Sequence, residues 1–456
     1  MSAQGEAGRL GLVEKLGYGV GDTASHFVWD MVGFWLLVFY TDTLGISPAA
    51  AGTILLIARV WDMITDPVMG VIADRTRTRW GKFRPYILYM AVPYGALAVA
   101  AFTVPDLGPT GKVVWAGATY MLLMTVYTAI NLPYSSLAGV MTADSNERTG
   151  LNQYRFVFAF AGQLLVSGTA LYLVSWLGGG DSAAGYQRTI LLFAAVAVVL
   201  FAITFATTRE RVEPPPAQQS DLLADVRNLV STRPWLVLFG VGVLSFTLFA
   251  MQSAVTAFYF KYYIGDAEGA QPFNVVGTLA LIAAIPLARP LAQRFGNRAV
   301  FIGCSAATGA LYLLMSQCGP DQLSLIYALN VASKIAYAPT VPLLWTMIAD
   351  SADYSEWRTG RRATGLFFSA ATLSMKLGWG IGGGLAGFLL EAFGYVADVD
   401  QTESALSGIV LMMTALPGAL YLAAGALFFL YDLDRDTARR MADELEARRA
   451  SQGGEA

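Results

Sequence analysis

The sequence predicts an all-α membrane protein whose twelve transmembrane helices form two six-helix bundles. Of its 456 residues, 55% are hydrophobic and only 14% are charged, whereas soluble domains contain about 25% charged residues. Apolar stretches of about 20 residues, the length that crosses a bilayer, recur along the whole chain. The net charge of −3 offers no basic face to a nucleic acid, so nucleic-acid binding is excluded.

The predicted spans follow one another with short polar connections. The N-terminal segment lacks the short apolar core and the small-residue cleavage site of a signal peptide, so we expect the first span to remain in the protein. The twelve predicted spans lie near residues 16–40, 46–73, 84–104, 112–142, 150–178, 186–207, 234–263, 271–293, 298–317, 321–350, 361–393 and 404–431.

Basic residues are unevenly distributed among the connections. The loop after the second span, residues 74–84, carries five of them. Because cytoplasmic loops are rich in Lys and Arg, the pattern predicts a multi-pass protein with both termini in the cytoplasm. The other basic connections lie near 208–233, 289–298 and 358–362, and the loops without basic residues are 41–45, 316–322 and 395–404.

The chain contains an internal repeat. The fourth span ends in MTADSNERTG (141–150), and the tenth ends in the similar MIADSADYSEWRTG (347–360). Parallel repeats of six spans around a central cavity are typical of membrane transporters. In each half a proline lies eleven residues before the motif aspartate: Pro133 before Asp144, and Pro339 before Asp350.

A charged segment with three consecutive prolines separates the two halves. Such a segment interrupts both the hydrophobicity and any helix, which is typical of a linker. The charged C-terminal end has helical periodicity and is expected to form a solvated helix. The predicted divisions are a first bundle at 1–207, a cytoplasmic linker at 208–233, a second bundle at 234–431 and a cytoplasmic tail at 432–456.

The second span contains two aspartates, Asp62 and Asp66, four residues apart. This spacing places both carboxylates on one face of a helix. An ionised aspartate in a membrane costs about 2.5 to 3.5 kcal/mol unless it is paired or hydrated. Together with the hydroxyls of Thr65 and Thr128, the carboxylates supply hard oxygens for a monovalent cation, and a proton could occupy the same carboxylates. The alternative is that Arg59 pairs with one aspartate and only fixes helix packing.

Polar residues on the first and fourth spans are predicted to lie at the same depth. Asp22, His26 and Asp30 follow one another at intervals of four residues, and Asn131 lies on the fourth span. His26 is the only histidine of the chain. We expect Asp22, His26 and Asn131 to contact a substrate. The alternative for His26 is a buried histidine that is merely hydrogen-bonded.

Two basic residues stand alone in apolar surroundings, Arg155 on the fifth span and Lys376 on the eleventh. Lys376 lies in the middle of its span and cannot easily extend to the membrane surface, so a function is favoured. Arg155 is nearer the end of its span and could extend to the surface instead. Trp379 could stack on the apolar face of a sugar, or serve only in packing.

The eleventh span also carries glycines at intervals of four residues, Gly380 with Gly384 and Gly383 with Gly387. Small residues at this spacing let helices approach closely. Two interpretations remain open, a static contact and a surface along which this span moves during transport.

Seven motifs in order resemble those of the glycoside-pentoside-hexuronide:cation symporter family, the melibiose permease-like branch of the major facilitator superfamily. The resemblance covers nearly the whole chain. It implies the major facilitator fold of twelve helices. The motifs are GYGVGD (17–22), FYTDTLGIS (39–47), ARVWDMITDPVMG (58–70), TRWGKFRP (78–85), NLPYSSL (131–137), ADYSEWRTGRRATG (352–365) and KLGWG (376–380).

The resemblance also implies roles for individual residues. In that family, paired aspartates and polar neighbours on spans two and four bind sodium, lithium or a proton. Asp62, Asp66 and Thr128 match those positions, whereas Thr65 replaces an asparagine of melibiose permease.

The sugar site matches that of melibiose permease less closely. His26 and Asn131 stand where it has sugar-binding aspartates, and Ser135 replaces a tryptophan. Arg155 and Lys376 match basic residues of its site. The NLPYSSL motif is more similar to the hexuronide and pentoside branches.

The function implied by the resemblance is secondary active symport. A sugar, which is a glycoside, pentoside or hexuronide, would enter with sodium or a proton by alternating access. Such a protein is not an enzyme and needs no cofactor beyond its coupling ion. Its partners would be the sugar, a monovalent cation and membrane lipid, and we expect a monomer in the bacterial inner membrane. Acidic sugars are expected to be favoured modestly, because Arg155 and Lys376 remain while two carboxylates are lost.

Three other functions are open to the sequence. A lysolipid or other organic-solute carrier would share the same fold and coupling. An intramembrane aspartyl protease is suggested by GVGD (19–22), but its partner motif is missing from a preceding span. A channel or a receptor would not need the paired carboxylates.

Overall fold

Six long helices occupy the first part of the chain, in agreement with the first six predicted spans. The computed structural model describes residues 10–142, 145–212, 222–359 and 364–433, and five positions of the tail, 437, 440, 441, 444 and 445. A π-helical turn, Phe39–Thr43, extends the first helix. The helices are α1 (Leu12–Val38), α2 (Pro48–Arg75), α3 (Arg84–Ala101), α4 (Pro109–Met141), α5 (Ser145–Gly178) and α6 (Ser182–Thr207).

Side chains cap the first turns of α2, α6 and α3; the caps of α2 and α6 come from neighbouring residues and that of α3 from a distant residue. The Ser47 hydroxyl accepts a hydrogen bond from the Ala50 amide, and Pro48 opens α2 with a ring that suits the first helical turn. Asp181 caps α6 in the same way. At α3 the cap comes from far away in the chain: the Glu210 carboxylate accepts hydrogen bonds from the amides of residues 82, 83 and 84 at 2.8 to 3.0 Å. The segment after α6 is thereby fixed to the start of α3.

The second part of the chain is also helical, but three predicted spans are interrupted. A short helix, α7, lies within the predicted linker, of which residues 213–221 fall outside the described residues. The helices are α7 (Leu222–Ser231), α8 (Arg233–Phe258), α9 (Ala270–Ala284), α10 (Ala288–Phe295), α11 (Asn297–Met315), α12 (Leu323–Tyr337), α13 (Thr340–Thr359), α14 (Thr364–Ala392), α15 (Glu403–Met413) and α16 (Ala415–Leu427).

Prolines account for the three interruptions, which lie within the predicted spans at 271–293, 321–350 and 404–431. The first and last of these spans still form segments long and apolar enough to cross a membrane. Pro286 lies in the 3-10 turn between α9 and α10, Pro339 between α12 and α13, and Pro417 in the first turn of α16. A proline has no amide hydrogen, and its ring clashes with the carbonyl four residues earlier. Pro133, the repeat counterpart of Pro339, lies inside a continuous α4. The two halves therefore differ at this point, and the motif residue Asp144 lies outside the described residues.

Among the described residues, eight helical segments are long and apolar enough to cross a membrane. The helices α1 and α2, which carry most of the predicted site residues, are not among the eight. A helix with several ionisable residues has a weak hydropathy signal. Their place in the bundle is therefore evident from packing rather than from hydropathy.

Helix packing groups the elements by halves. In the first half α1 packs on α5 and α6, α3 on α4 and α6, and α2 on α4. In the second half α8 packs on α14 and α16, and α11 on α12 and α16. Contacts between the halves join α2 with α14, α5 with α9 and α1 with α8. Counted in spans, these pairs are two with eleven, five with eight, and one with seven. The predicted repeat relates the first pair to the second and the third pair to itself.

One end of the interface between the halves is sealed around a single carboxylate. Asp42, just beyond α1, accepts hydrogen bonds from Lys261 Nζ and Tyr262 Oη, both at 2.5 Å, from Thr41 Oγ1 at 2.7 Å and from Tyr395 Oη. Burial and the Asp42 carboxylate raise the pKa of Tyr395 above its ordinary range, so this phenol remains a donor. We call these five residues the Asp42 latch. It joins the end of α1 to the ends of α8 and α14.

Next to the Asp42 latch, α2 and α14 touch backbone to backbone. A Cβ atom added to Gly387 would lie 2.3 Å from the Pro48 carbonyl oxygen and 2.7 Å from the Gly52 Cα. Farther along, Gly380 lies against the side chain of Arg59. Gly380 and Gly387 of α14 are therefore required by the contact with α2.

If the chain is the transporter that the resemblance implies, we predict that Gly387→Ala slows substrate exchange while changing substrate affinity little. The added methyl group meets backbone atoms that cannot rotate away, so α2 and α14 must separate, at a cost of about 1 to 3 kcal/mol. Counterflow rates and equilibrium binding of the purified variant would measure this. Gly117→Ala is the matched control, because its nearest atom would be Ile54 Cγ1 at 3.8 Å. Equal exchange rates in both variants would show that this contact does not move.

At the end of the first half opposite the Asp42 latch, the helices α2, α4 and α5 have open space beside them. Among the described residues, no atom beyond the local helix backbone lies within 4 Å of the position that a Cβ would take at Gly70, Gly139 or Gly150. Val68 and Val71 on this part of α2 are about half exposed. We call this the open end.

The described tail residues correct the expectation of a solvated helix. Met441 and Leu445 are each 4% exposed and belong to an apolar cluster of the second half. Trp357 Nε1 donates a hydrogen bond to Glu444 Oε2 at 2.7 Å. Apolar residues four apart thus anchor the tail to the end of α13.

Candidate functional site

An ion pair between α1 and α5 forms one side of the site. Arg155 Nε donates to Asp22 Oδ2 at 3.0 Å, and the guanidinium lies 5.3 Å from the centre of the Tyr134 ring. Asp22 is 6% exposed. Arg155 points into the protein rather than toward the membrane surface, so the alternative that it extends to the surface does not apply in this structure.

His26 lies one helical turn after Asp22 and is paired with Asp30. Its Nδ1 lies 2.9 Å from Asp30 Oδ2. A quarter of the His26 side chain is exposed, whereas Asp30 is buried. The sequence placed Asp30 in this polar layer, and the structure identifies it as the partner of His26.

Arg59 is the centre of a buried cluster on α2. Its Nη1 donates to Asp62 Oδ2 and its Nη2 to Tyr120 Oη, both at 3.0 Å, and its guanidinium lies 4.8 Å from the Trp29 ring centre. The other oxygen of Asp62, Oδ1, is buried and has no hydrogen-bond partner among the described residues. Leaving a buried carboxylate oxygen without a hydrogen-bond donor costs free energy. A cation or a proton that binds this oxygen would remove that cost.

Asp66 lies at the junction of the two halves. Its Oδ1 accepts from Thr128 Oγ1 at 3.0 Å, and its Oδ2 accepts from Lys376 Nζ of α14. The side chains of Asp66 and Lys376 are about one quarter exposed. Arg59 therefore pairs with one aspartate, Asp62, as the packing alternative supposed, whereas Asp66 is held by Lys376 of the other half.

Two other predicted residues lie nearby without pointing at the carboxylates. The Thr65 hydroxyl donates to the Asp62 carbonyl of its own helix at 3.5 Å. Asn131 is half-buried on α4, three residues after Thr128. The part of the chain that the structure describes holds no cluster of three or more His, Cys, Asp or Glu with the arrangement of a metal site. A cation here would thus depend on two carboxylates and neutral oxygens.

Trp379 contributes to the wall between the halves. It packs edge-on against Trp29 of α1 and Phe249 of α8, with ring centres 5.4 Å apart in both cases. A cavity of about 30 Å³ lies beside it, lined in part by Gly33 and Arg59. That volume holds about two water molecules, so a solute the size of a sugar would require a wider cavity.

Sequence reasoning missed Trp29 and Tyr120. Trp29 lies three residues after His26, so helical spacing alone would have placed it on the same face. Tyr120 is two turns before Thr128 on α4, and its hydroxyl is a partner of Arg59. A buried arginine needs several hydrogen-bond acceptors. This requirement indicated that Arg59 would have a second acceptor besides Asp62.

The site residues nearly balance one another in charge. The carboxylates of Asp22, Asp30, Asp62 and Asp66 contribute −4, and the bases Arg59, Arg155 and Lys376 contribute +3, leaving −1 when His26 is neutral. Arg155 and Lys376 both hold carboxylates. The expectation that these two bases are free to meet an acidic sugar therefore lacks its premise in this conformation.

Comparison with known proteins identifies the family of the chain. The family model described as "MFS/sugar transport protein" matches residues 17–435. The "Putative glycoside/cation symporter YagG" of Escherichia coli (strain K12) is 36% identical over 98% of this chain and 97% of its own. The "Isoprimeverose transporter" of Lactiplantibacillus pentosus is 34% identical over 96% of this chain and 92% of its own.

A solved structure shares the fold at low sequence identity. The crystal structure of the nucleoside transporter NupG has a TM-score of 0.64 and 14% identity, covering 92% of this chain and 99% of its own. Such a likeness shows the major facilitator fold and nothing about the substrate. The family model and the relatives show that the protein is a multi-pass membrane transporter and not an enzyme. On the family model and its relatives, the chain belongs to the MFS/sugar transport protein family, that is, the glycoside-pentoside-hexuronide:cation symporters of the major facilitator superfamily.

Proposed function

We propose that this protein couples the uptake of a glycoside, pentoside or hexuronide to the entry of sodium or a proton by alternating access. The observation that carries the proposal is the position of Asp66, which is held by Thr128 of its own half and by Lys376 of the other. A ligand that binds Asp66 must compete with the contact between the halves. Names of relatives, a glycoside/cation symporter and an isoprimeverose transporter, support a sugar as substrate.

The coupling step follows from the charges. A cation that binds Asp66 replaces Lys376, and it completes its shell with Thr128 Oγ1 and the unpartnered Oδ1 of Asp62. Carboxylate and hydroxyl oxygens suit hard cations. Lys376 is then released toward the interior, where its ammonium group can donate to sugar hydroxyls. Ion binding thereby prepares the sugar site and loosens the contact between the halves.

The sugar is proposed to bind between the two ion pairs. We assign Asp22 and Arg155 to one side of the sugar, Lys376 and Trp379 to the other, and His26 and Asn131 to the space between them. Paired charges offer both donors and acceptors, which suit sugar hydroxyls, and Trp379 has an apolar face for a ring.

We also propose the setting in which the protein works. It is a monomer in the bacterial inner membrane, surrounded by lipid, with both termini in the cytoplasm. With that orientation the Asp42 latch faces outward and the open end faces the cytoplasm. The proposed domain limits remain 1–207 and 234–431, with the linker and tail on the cytoplasmic side.

The test is uptake into liposomes that contain the purified protein. Labelled pentosides, neutral glycosides, uronides and a lysolipid are offered with a sodium gradient, a pH gradient or neither. We expect at least one sugar to accumulate with a gradient and not without it. Accumulation of the lysolipid alone would replace the sugar by a lipid, and equilibration without accumulation under every gradient would refute symport.

A further inference from the structure

One face of α1 opens into the interior of the protein. Between residues 21 and 41, the residues that are not buried are His26, Trp29 and Gly33. Their spacing of three and four residues places them on one side of the helix. Trp29 and Gly33 line the cavity beside Trp379. Because α1 is packed on α5, α6 and α8, this face is directed toward the cavity, and His26 belongs to it.

The His26 ring is oriented by Asp30. Nδ1 is hydrogen-bonded to the buried Asp30 carboxylate at 2.9 Å, so Nε2 is the nitrogen that can contact a ligand. In the neutral ring Nδ1 carries the hydrogen and Nε2 is an acceptor, whereas in the imidazolium both nitrogens are donors. Proton uptake therefore changes this group from an acceptor of hydroxyls to a donor for an anion.

The bases of the site other than His26 are already engaged. Arg155 holds Asp22, Lys376 holds Asp66 and Arg59 holds Asp62. A carboxylate that takes the charge of one of these bases leaves an aspartate without its counter-charge. His26 gains a positive charge without breaking any pair. A uronide that arrives with one proton leaves the total charge of the site unchanged.

We propose that His26 is a substrate-linked proton site, which takes up a proton when a sugar acid binds and donates from Nε2 to its carboxylate. Asp30 is the positioning residue. The charged groups facing His26 are Asp22 and Asp30 on α1 and Arg155 on α5. The proposal rests on the proposed function, since it concerns the sugar site of that symporter.

From other helices, two phenols and the Arg59 guanidinium of α2 approach this part of α1, and the guanidinium lies 4.8 Å from the Trp29 ring centre. Tyr94 of α3 donates to the Ser25 carbonyl, and Tyr127 of α4 stacks on Trp29. Sugar carboxylates are ionised above about pH 4. Uronide affinity is therefore expected to be highest below the titration midpoint of His26 and to fall as the pH rises through it. Affinity for a neutral glycoside is expected to change much less.

The direct test uses the fact that the chain has one histidine. Purified protein with isotope-labelled histidine gives one imidazole signal by NMR, which is titrated over about pH 5 to 8. By linkage, a saturating uronide raises the midpoint, and a shift of one pH unit equals a tenfold change in affinity. The neutral glycoside with the same aglycone is the matched ligand. An unchanged midpoint with bound uronide would overturn the proposal.

Variants provide a second measurement. In each variant the ratio of uronide to neutral-glycoside affinity is measured by competition at both ends of that pH range. His26→Gln should make the ratio independent of pH, and Asp30→Asn should move its pH dependence to lower pH. A pH dependence that survives in His26→Gln, or that disappears only in Arg155→Lys, would contradict the assignment.

The outcomes separate this proposal from the proposed function. If neutral glycosides accumulate with the cation gradient while the titration midpoint of His26 does not change with bound uronide, symport is confirmed and the assignment of the proton site is wrong. If no sugar accumulates in wild-type protein, the proposed function fails first. Should His26→Gln not fold, the wild-type titration and Asp30→Asn still decide the question.

Discussion

Asp66→Asn is expected to abolish accumulation of the substrate while leaving slow equilibration across the membrane. Asparagine has the same size, so packing is kept, but the charge that attracts the coupling cation is lost. We expect the apparent affinity for the cation to fall at least tenfold, about 1.4 kcal/mol. Asp62→Asn should have a similar effect, because the unpartnered Oδ1 is the proposed second ligand. Cation-dependent uptake and equilibrium cation binding measure both changes.

A purely structural role of Asp66 predicts a different pattern. If the carboxylate only pairs with Lys376, then Lys376→Gln should be as harmful to cation binding as Asp66→Asn. If the carboxylate binds the cation, Lys376→Gln removes a competitor, and cation affinity should rise while sugar binding weakens. The exposed Asp106, changed to Asn, controls for the loss of one negative charge. Wild-type accumulation in both the Asp62 and Asp66 variants would disprove the ion site.

Asp42→Asn is expected to open the sealed end of the molecule. Asp42 is largely buried and accepts four hydrogen bonds, one of them from the Lys261 ammonium group. A charged hydrogen bond contributes about 1.5 to 3 kcal/mol. Since Lys261 keeps Asp398 as a partner, we expect a loss of about 1 to 2 kcal/mol, which changes the population of the open form about five- to thirtyfold.

Cysteine accessibility would measure this opening. Cys304 and Cys318 are replaced by Ser, and Ala254, which lines the interior cavity, is replaced by Cys. A maleimide that cannot cross the membrane should label this cysteine faster in Asp42→Asn than in its wild-type counterpart. Tyr263→Phe is the matched control, because Tyr263 lies at the same end but donates to the Cys318 carbonyl. Equal labelling rates in Asp42→Asn and the parent would mean that the Asp42 latch does not hold this end closed.

The sequence predicted the elements well where hydrophobicity decides the outcome. Six spans in the first half are continuous helices, because Pro67, Pro93 and Pro133 are tolerated inside them. The three breaks in the second half were not predicted, because the prolines there lie in apolar runs as long as the others. Hydropathy reports the length of an apolar run and not the hydrogen bonds that a proline removes.

The sequence predicted which residue types form the site, but not which side chains form ion pairs with one another. Helical spacing correctly put Asp62 and Asp66 on one side of α2. The partner of Asp66 is Lys376, which lies 310 residues away, and no local rule relates them. For the same reason the sequence could not show whether Arg155 is paired or free. Its pair with Asp22 depends on how closely α1 approaches α5.

The interrupted helices give the two halves unequal stiffness. At each break, backbone carbonyls lose their amide partners, and rotation about a few bonds there costs less than bending an intact helix. When the carrier changes its open side, deformation should therefore concentrate at the ends of α9, α12 and α15, while α1 to α6 move as one body. Amide hydrogen exchange would then be fastest in the second half during turnover. The first half, which carries the ion site, would act as the frame against which the other half bends.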